Sequence, residues 1–312
     1  MNKLVVLLAS ALLTFGCVSA ISETDIADSQ DGSAGSVLPV FHAGFENVQT
    51  KTSVDGNMHL SWTADDRLTI FYKSTSNVQY RFKGETGDNA GRFEAVDDSP
   101  AAGNALGANY AVYPYSSTTV ISDGGVITLT LPAEEAYGED TFGVNANTMV
   151  AVTKNTSDLF LHFKNVCGYL VFKFHGVGTI SSITLSGRGG ETLSGEASVT
   201  AAYGDVPTLS IHEGTGTGSI VLKSEDGIAI GESADKATTF WFVVPPVTFS
   251  NGFSITVTDI NGASASFQTA KEMVIPRNSL TRMAALKVDF SSTPPVFDNS
   301  GIDTLDETEF EW

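Results

Sequence analysis

Five histidines are the residues of this 312-residue chain that most readily suggest metal binding or proton transfer. No two of them have the His-x-x-x-His spacing of a metal site, and the two cysteines do not form a Cys-x-x-Cys pair. A single histidine in a strand or loop is more often a structural residue than a ligand. The sequence therefore predicts no metal site and no cofactor. The histidines are His42, His59, His162, His175 and His212.

Acid–base or nucleophilic catalysis would need paired carboxylates or an activated serine. Asp65-Asp66 and Glu134-Glu135 are adjacent carboxylates, but neighbours on a strand face opposite sides, so neither pair forms a catalytic dyad by itself. We interpret all four as solvated turn charges. Ser233, in Gly-Glu-Ser-Ala-Asp, lacks the second glycine of a nucleophile elbow. We therefore expect that the protein is not an enzyme.

The two cysteines have different surroundings. Cys167 lies in an apolar run and is interpreted as a buried thiol. Cys17 follows a basic start and an apolar segment, residues 4–16, which is too short for a transmembrane helix and is typical of a signal peptide. Gly16-Cys17 resembles a lipobox, in which the cysteine is acylated and becomes the first mature residue. Cleavage after Ala20, in Val-Ser-Ala, is the alternative, and it would discard Cys17.

Residues 18–36 are rich in aspartate, serine, alanine and glycine and contain no large hydrophobic cluster. Such a composition cannot bury enough apolar surface to offset its ordering entropy, so we expect a disordered acidic linker. The formal net charge of the whole chain is −19. Because an acidic surface repels phosphates, we do not expect nucleic acid as a partner.

The hydrophobic pattern of the remaining chain repeats every two residues. Val-Ile-Thr-Leu-Thr-Leu at 126–131 and Tyr-Leu-Val-Phe-Lys-Phe at 169–174 are runs of strand length, and Asn261-Gly262 is a typical hairpin turn. Residues 60–63 alternate in the same way, which predicts a half-buried strand with Trp62 on its core face. The pattern indicates an all-β protein of antiparallel β-sandwiches.

A polar interruption at residues 153–158 separates two apolar stretches of ordinary domain size. We predict the following organisation: a signal peptide at 1–17, the linker at 18–36, an N-terminal β-sandwich domain at 37–157, a C-terminal β-sandwich domain at 158–290, and an acidic tail at 291–312. The tail begins near Pro294-Pro295 and then carries only acidic charges, so we expect it to be an exposed extension.

Several segments occur in an order that resembles a known family. They are residues 50–56 leading into 60–71, Tyr-Ala-Val-Tyr-Pro-Tyr at 110–115, and the segments 129–134, 163–170, 183–187 and 240–249. In this order they resemble the fimbrillin-like lipoproteins of Bacteroidales, the family of major and minor fimbrial subunits. The resemblance implies two transthyretin-like antiparallel β-sandwich domains, an outer-membrane lipid anchor, and a role in fimbriae or adhesion.

The resemblance also implies partners and a way of assembling. The partners would be other fimbrial subunits, in a homopolymer or heteropolymer, or a ligand on a host or bacterial surface. We expect the protein at the surface of the outer membrane or in a fimbrium. There it would act as a structural or adhesive subunit, or as an accessory or anchor protein, of a fimbria assembled by β-strand exchange.

In such assembly a protease removes an N-terminal strand, and an extended strand of the next subunit takes its place. Here the removable strand would be residues 38–46, with Phe41, Ala43 and Phe45 on one face. Lys51 is the only lysine or arginine between Cys17 and the first predicted hairpin, so it is the candidate cleavage site. The alternatives are another protease, or retention of the strand in an anchor or accessory subunit.

The acidic tail offers two further candidate sites. Phe310 and Trp312 keep a two-residue alternation and are the candidate residues of a donated C-terminal strand, although desolvating the neighbouring carboxylates would be costly. Asp303-Thr304-Leu305 resembles the O-glycosylation motif of these bacteria, which makes Thr304 the candidate acceptor.

The alternative function is that of a surface glycan-binding lipoprotein that does not polymerise. Sandwich domains bind sugars by stacking exposed aromatic rings on them, and the rings to test are those of Tyr113, Tyr115, Trp241 and Trp312. Trp241 lies in an apolar run and is expected to be a core residue.

The first prediction concerns the mature N-terminus. We expect the protein recovered from its native envelope to begin with an acylated Cys17, and a Cys17→Ala variant to lose its partitioning into detergent. Intact mass and N-terminal sequencing measure this directly. A start at Ile21 would contradict lipidation, and a start near residue 52 would instead show that the N-terminal strand had been removed.

Overall fold

The structure is a computed structural model that describes residues 38–46, 49–50, 60–97 and 102–305. These residues form 24 β-strands and a short 3₁₀ turn, Ala234–Lys236, and they contain no α-helix. The prediction of an all-β protein is therefore confirmed. No helix in this part of the chain is both long enough and apolar enough to cross a membrane.

The first twelve strands precede residue 166. They are β1 (Phe41–Phe45), β2 (Gln49–Thr50), β3 (Arg67–Phe71), β4 (Val78–Phe82), β5 (Ala90–Ala95), β6 (Tyr110–Tyr113), β7 (Val120–Ile121), β8 (Val126–Leu131), β9 (Glu134–Gly138), β10 (Thr141–Phe142), β11 (Met149–Val152) and β12 (Phe160–Asn165).

The other twelve strands follow residue 167. They are β13 (Gly168–Val177), β14 (Thr179–Gly187), β15 (Gly195–Thr200), β16 (Thr208–Ile211), β17 (Ser219–Ala229), β18 (Thr238–Val244), β19 (Val247–Phe249), β20 (Phe253–Asp259), β21 (Ser264–Gln268), β22 (Met273–Ile275), β23 (Ser279–Asp289) and β24 (Val296–Asp298).

Seven strands form a closed barrel in the order β1-β12-β11-β6-β3-β4-β5, with β5 returning to β1. The prediction of two sandwiches did not include a closed sheet. Strand β1 is parallel to β12, and three further strand pairs, β13–β23, β9–β17 and β2–β23, are also parallel. The expectation of purely antiparallel sheets is therefore wrong for these pairs, because hairpin turns specify only neighbours that are joined by short loops.

The remaining strands form four sheets. Their orders are β10-β9-β17-β14-β20-β21, β18-β13-β23-β2 with β24 also on β23, β16-β15-β8-β7, and β19-β22. Hydrogen-bonded ladders cross the predicted domain boundary at residue 157, because β8 pairs with β15, β9 pairs with β17, and β1 pairs with β12. The division into domains 37–157 and 158–290 stays a prediction.

The barrel core is built around Trp62, which is almost completely buried. Residues 60–63 were expected to be a strand but have no strand structure, and the chain turns directly after them, with Asp65 at a positive φ of 70°. Trp62 is surrounded at ring-centroid distances of 4.3 to 6.1 Å by the rings of Phe45, Phe82, Phe93, Tyr113 and Phe163. Aromatic pairs of this kind contribute about 1 kcal/mol each beyond their burial.

Glu135 of strand β9 is a buried carboxyl, so its interpretation as a solvated turn charge is wrong. Its Oε2 accepts a hydrogen bond from the Val243 backbone N–H at 3.1 Å. Loss of solvation raises the pKa of Glu135 to about 8, and this hydrogen bond offsets only part of the effect. Burial and the nearby Glu135 raise the pKa of the Cys167 thiol. Glu134, on the other face, pairs with Lys223 at 2.6 Å on the surface.

The second prediction follows from the raised pKa of Glu135. The folded protein holds this proton up to about pH 8 and the unfolded chain only up to about pH 4.5, so ionisation destabilises the folded state as the pH rises between these values. We expect the free energy of unfolding of the wild type to fall by roughly 1 kcal/mol per pH unit across this range, and that of Glu135→Gln not to show this fall. The measurement is the free energy of unfolding of both proteins from pH 4.5 to 8.

Glu134→Gln is the matched control, because Glu134 is the exposed neighbour on the same strand. A stability difference between Glu135→Gln and the wild type that does not change with pH would show that Glu135 is already ionised at neutral pH.

Candidate functional site

Strand β1 is one of the seven strands of the barrel wall and is hydrogen-bonded along both of its edges. On one side it is antiparallel to β5, with Phe41 opposite Phe93, and on the other it is parallel to β12, with His42 opposite Phe160. The His42 N–H donates to the Leu159 carbonyl at 3.0 Å, at the start of this second ladder. Without β1, the backbone groups of β5 and β12 that face it would have no partners.

The side chains of β1 supply part of the barrel core. Phe41 and Ala43 are fully buried, whereas Phe45 is half-buried and packs on Trp62 at 4.3 Å. The Phe41 ring contacts the edge of the Tyr80 ring at 5.4 Å. Burying one phenylalanine side chain stabilises the fold by about 2 to 3 kcal/mol, so the burial of Phe41 contributes substantially to holding β1 in the sheet.

Glu46 directly follows β1 and anchors its end. Its carboxylate forms a two-pronged ion pair with the Arg277 guanidinium, in which one contact is Nη1 to Oε1 and the other, Nη2 to Oε2, is 3.2 Å. The two side chains are only 18% and 14% exposed. The backbone N–H of Asn165, at the end of β12, also donates to Glu46 Oε1 at 2.6 Å.

A chain of buried amides continues from this ion pair. The Arg277 guanidinium donates to the Asn165 carbonyl at 2.7 Å. The Asn165 side chain receives a hydrogen bond from Asn147 at 2.9 Å and donates one to Asn278 at 2.7 Å. The end of β1 is therefore tied to β12 and to the segment that leads into β23.

The tail, expected to be an exposed extension, is partly docked on the rest of the chain. Strand β24 is exposed but pairs antiparallel with the end of β23, and Ile302 is buried. Leu305 bridges to Met283, and the Ala284 N–H donates to the Thr304 carbonyl at 3.0 Å. Asp303 is bound through its side chain by the Thr269 hydroxyl and through its carbonyl by Lys271 Nζ, which is 3.0 Å away.

The sequence-predicted site residues are thus placed as follows. Thr304 is exposed, so its side chain is open to a modifying enzyme. The candidate residues Cys17, Lys51, Phe310 and Trp312 lie outside the described residues. The roles assigned to all of these residues stay predictions.

A cleft of about 490 Å³ lies beside the end of β1. Its lining includes Phe45, Tyr113 and Trp241, so two of the four aromatic residues named for glycan binding come together here. Trp241 is largely buried, as its apolar run predicted. Tyr115 does not line the cleft.

The carboxylate of Asp66 also lines this cleft and is half-buried, which corrects its interpretation as a solvated charge. Burial raises its pKa, and two hydrogen bonds oppose this effect. The Thr63 backbone N–H donates to Oδ2 at 2.8 Å, and the Tyr113 hydroxyl donates to Oδ1 at 3.2 Å. Burial and the neighbouring Asp66 raise the pKa of the Tyr113 hydroxyl.

His212 takes part in a hydrogen-bond chain that the sequence analysis missed. Its Nε2 lies 2.7 Å from the Ser198 hydroxyl and its Nδ1 lies 2.7 Å from Glu196 Oε1. Glu196 and Ser198 are two residues apart on β15, and their spacing is the only signal that could have placed both on one face. The group is on the sheet surface, and its residues line neither this cleft nor the smaller one near Lys164. The described residues contain no cluster of three or more potential metal ligands.

Comparisons with known proteins give the following results. No protein-family model and no curated protein matches the chain. Among solved structures, it is similar to a candidate cell adhesion protein from Bacteroides ovatus, with 16% identity and a TM-score of 0.47, over 84% of this chain and 95% of that one. A candidate cell adhesion protein from Bacteroides uniformis gives 16% identity and a TM-score of 0.45, over 86% and 97%. A fimbrial protein from Bacteroides ovatus gives 15% and 0.33, over 80% and 50%. Identities and TM-scores this low assign neither a family nor a function.

The third prediction concerns the ion pair at the end of β1. We expect Glu46→Gln to lower the free energy of unfolding by about 3 kcal/mol, because it leaves the largely buried Arg277 guanidinium without its carboxylate. Urea denaturation measures the change. The control is Glu94→Gln, which removes a carboxylate from a surface pair with Arg92 and should cost less than about 1 kcal/mol. Equal losses in the two variants would show that the Glu46 pair does not fasten the strand.

Proposed function

We propose that this protein is a fimbrillin-like surface lipoprotein, and that it serves as a structural or adhesive subunit, or as an accessory or anchor, of a fimbria assembled by strand exchange. One observation carries the proposal: the first described strand, β1, fills a place in a closed sheet with hydrogen-bonded neighbours on both edges. Removing it would open a slot between β5 and β12 that another extended strand can fill.

The slot would select its occupant by side-chain pattern as well as by backbone pairing. The inward positions of β1 hold a large ring at Phe41, a methyl group at Ala43 and a ring at Phe45. An incoming strand that runs in the direction of β1 and places apolar side chains at these inward positions would restore both ladders and part of the core. Gly44 places no side chain against Phe160, whose ring passes beside it.

The resemblance of the ordered segments to fimbrillin-like lipoproteins supports the remaining parts of the proposal. These parts are two transthyretin-like sandwich domains, a lipid on Cys17 that holds the protein at the outer membrane, and other fimbrial subunits as partners. Enzymatic activity and nucleic-acid binding are not part of the proposed function.

The donated strand would come from the tail. Residues 296–305 lie along β23, and seven residues follow, including Phe310 and Trp312. An extended chain of seven residues is about 23 Å long, compared with about 17 Å for a five-residue strand such as β1. If β1 is retained, it occupies the slot and no strand of another subunit can enter. Such a subunit would end the polymer, as an anchor or accessory protein does.

The fourth prediction is that cleavage at Lys51 allows polymerisation. We expect purified protein treated briefly with trypsin to lose β1 and form a ladder of multimers that resists mild denaturation. The locked variant joins His42→Cys to Arg92→Cys, which are opposite each other on antiparallel strands, at a spacing that suits a disulfide.

The locked variant should stay monomeric when oxidised and form multimers after reduction. A Lys51→Gln variant controls for cleavage elsewhere. If the trypsin-treated wild type stays monomeric and takes up no synthetic peptide of residues 299–312, strand exchange is excluded.

A further inference from the structure

The cleft beside β1 has the size and lining of a small-molecule site. Its volume of about 490 Å³ lies within the usual range of about 300 to 1,000 Å³ for such sites. Its lining includes residues 60–63, residues 140–144, Trp241 and Arg282.

The two most accessible aromatic rings of the lining have fixed positions. Phe45 is half-buried and packs on Trp62 at 4.3 Å with a tilt of 33°. Phe142 is also half-buried and is stacked on Tyr169 at 5.4 Å with nearly parallel planes. Rings that are held in this way offer apolar faces to a ligand at little cost in side-chain entropy.

Polar groups also line the cleft. Asp66 is oriented by Thr63 and Tyr113, as described above, and each of its oxygens retains acceptor capacity. Two polar atoms of lining residues, Nε1 of Trp241 and Oδ1 of Asn147, have no hydrogen-bond partner within the described part of the chain. Buried polar atoms of this kind are normally satisfied, so the lining contains unused donor and acceptor capacity.

The charges of the lining limit the ligand class. The charged residues among those that line the cleft are Asp66, Asp140 and Arg282, which give a local charge of −1 in a strongly acidic protein. An anionic ligand is therefore disfavoured. A cation–π contact between an amine ligand and Trp241 would compete with the Arg282 guanidinium, which already lies over this ring at 5.9 Å.

We propose that this cleft binds an uncharged sugar residue of a glycan. The apolar face of the sugar would pack on Phe45 or Phe142, and its hydroxyls would bind Asp66 and Arg282. Sugar binding is then an activity of the same subunit that assembles by strand exchange, whereas the sequence had offered the two as alternatives.

The test uses the mature full-length protein with β1 in place. Glucose, galactose, mannose and N-acetylglucosamine are titrated singly and followed by saturation-transfer NMR, with N-acetylneuraminic acid and choline as the anionic and cationic probes. We expect saturable transfer to at least one neutral sugar and none to the charged probes.

Two cleft variants and one matched control locate the site. Val144 lies on the rim and is 70% exposed, so Val144→Trp should cover the opening without disturbing the core and weaken binding at least tenfold. Asp66→Asn should weaken binding through the loss of its charge-assisted hydrogen bonds. Val120→Trp makes the same change at a 54% exposed valine of β7 outside the cleft, and binding should be unchanged.

Three results would overturn the proposal: no transfer to any neutral sugar, equal binding by wild type and Val144→Trp, or transfer confined to a charged probe. The test does not depend on polymerisation. A protein that binds sugar but forms no multimers would support the sugar site and contradict strand exchange. A protein that forms multimers but binds no sugar would do the opposite.

Discussion

The pairing of β1 along both of its edges is the interaction on which the rest of the barrel depends. A sheet closes only when its last strand finds its first, and here β1 makes that closure between β5 and β12. It also brings Phe41 and Ala43 into the centre of the aromatic core. The closing strand lies near the N-terminal end of the described chain, so a strand that is paired along both edges is also one that a single peptide-bond cleavage could separate from the rest.

Glu46 extends this dependence beyond the barrel. Its carboxylate meets Arg277 and Asn165, and β2, only three residues further along, pairs with the start of β23. Farther along the same strand lie Leu305 and β24 from the tail. Segments that precede the barrel core and segments of the tail therefore pair with one strand, β23, so detaching either of them would leave backbone groups of this strand without partners.

The sequence predicted the parts of this architecture that depend on local pattern. The alternation at 38–46, 126–131 and 169–174 corresponds to β1, β8 and β13, and the burial of Trp241 follows from its apolar neighbours. Trp62 is buried as its alternation predicted, but the strand on which that prediction rested is not formed. Partners far apart in sequence could not be found in this way. Glu46 and Arg277 are 231 residues apart. Strands β13 and β23 pair in parallel although nine other strands lie between them in the chain, so no turn signal specifies their pairing. Glu135 was misjudged because period-two alternation shows that two neighbours face opposite sides, but it does not show which side is the core.

Phe45 belongs both to the strand that closes the barrel and to the wall of the cleft. If strand exchange replaces β1, a side chain of the neighbouring molecule takes the place of Phe45. The cleft is then lined by residues of two molecules. The same polypeptide would accordingly present one binding surface before exchange and another after it, and a filament of mixed subunits would carry as many versions of that surface as it has kinds of donor.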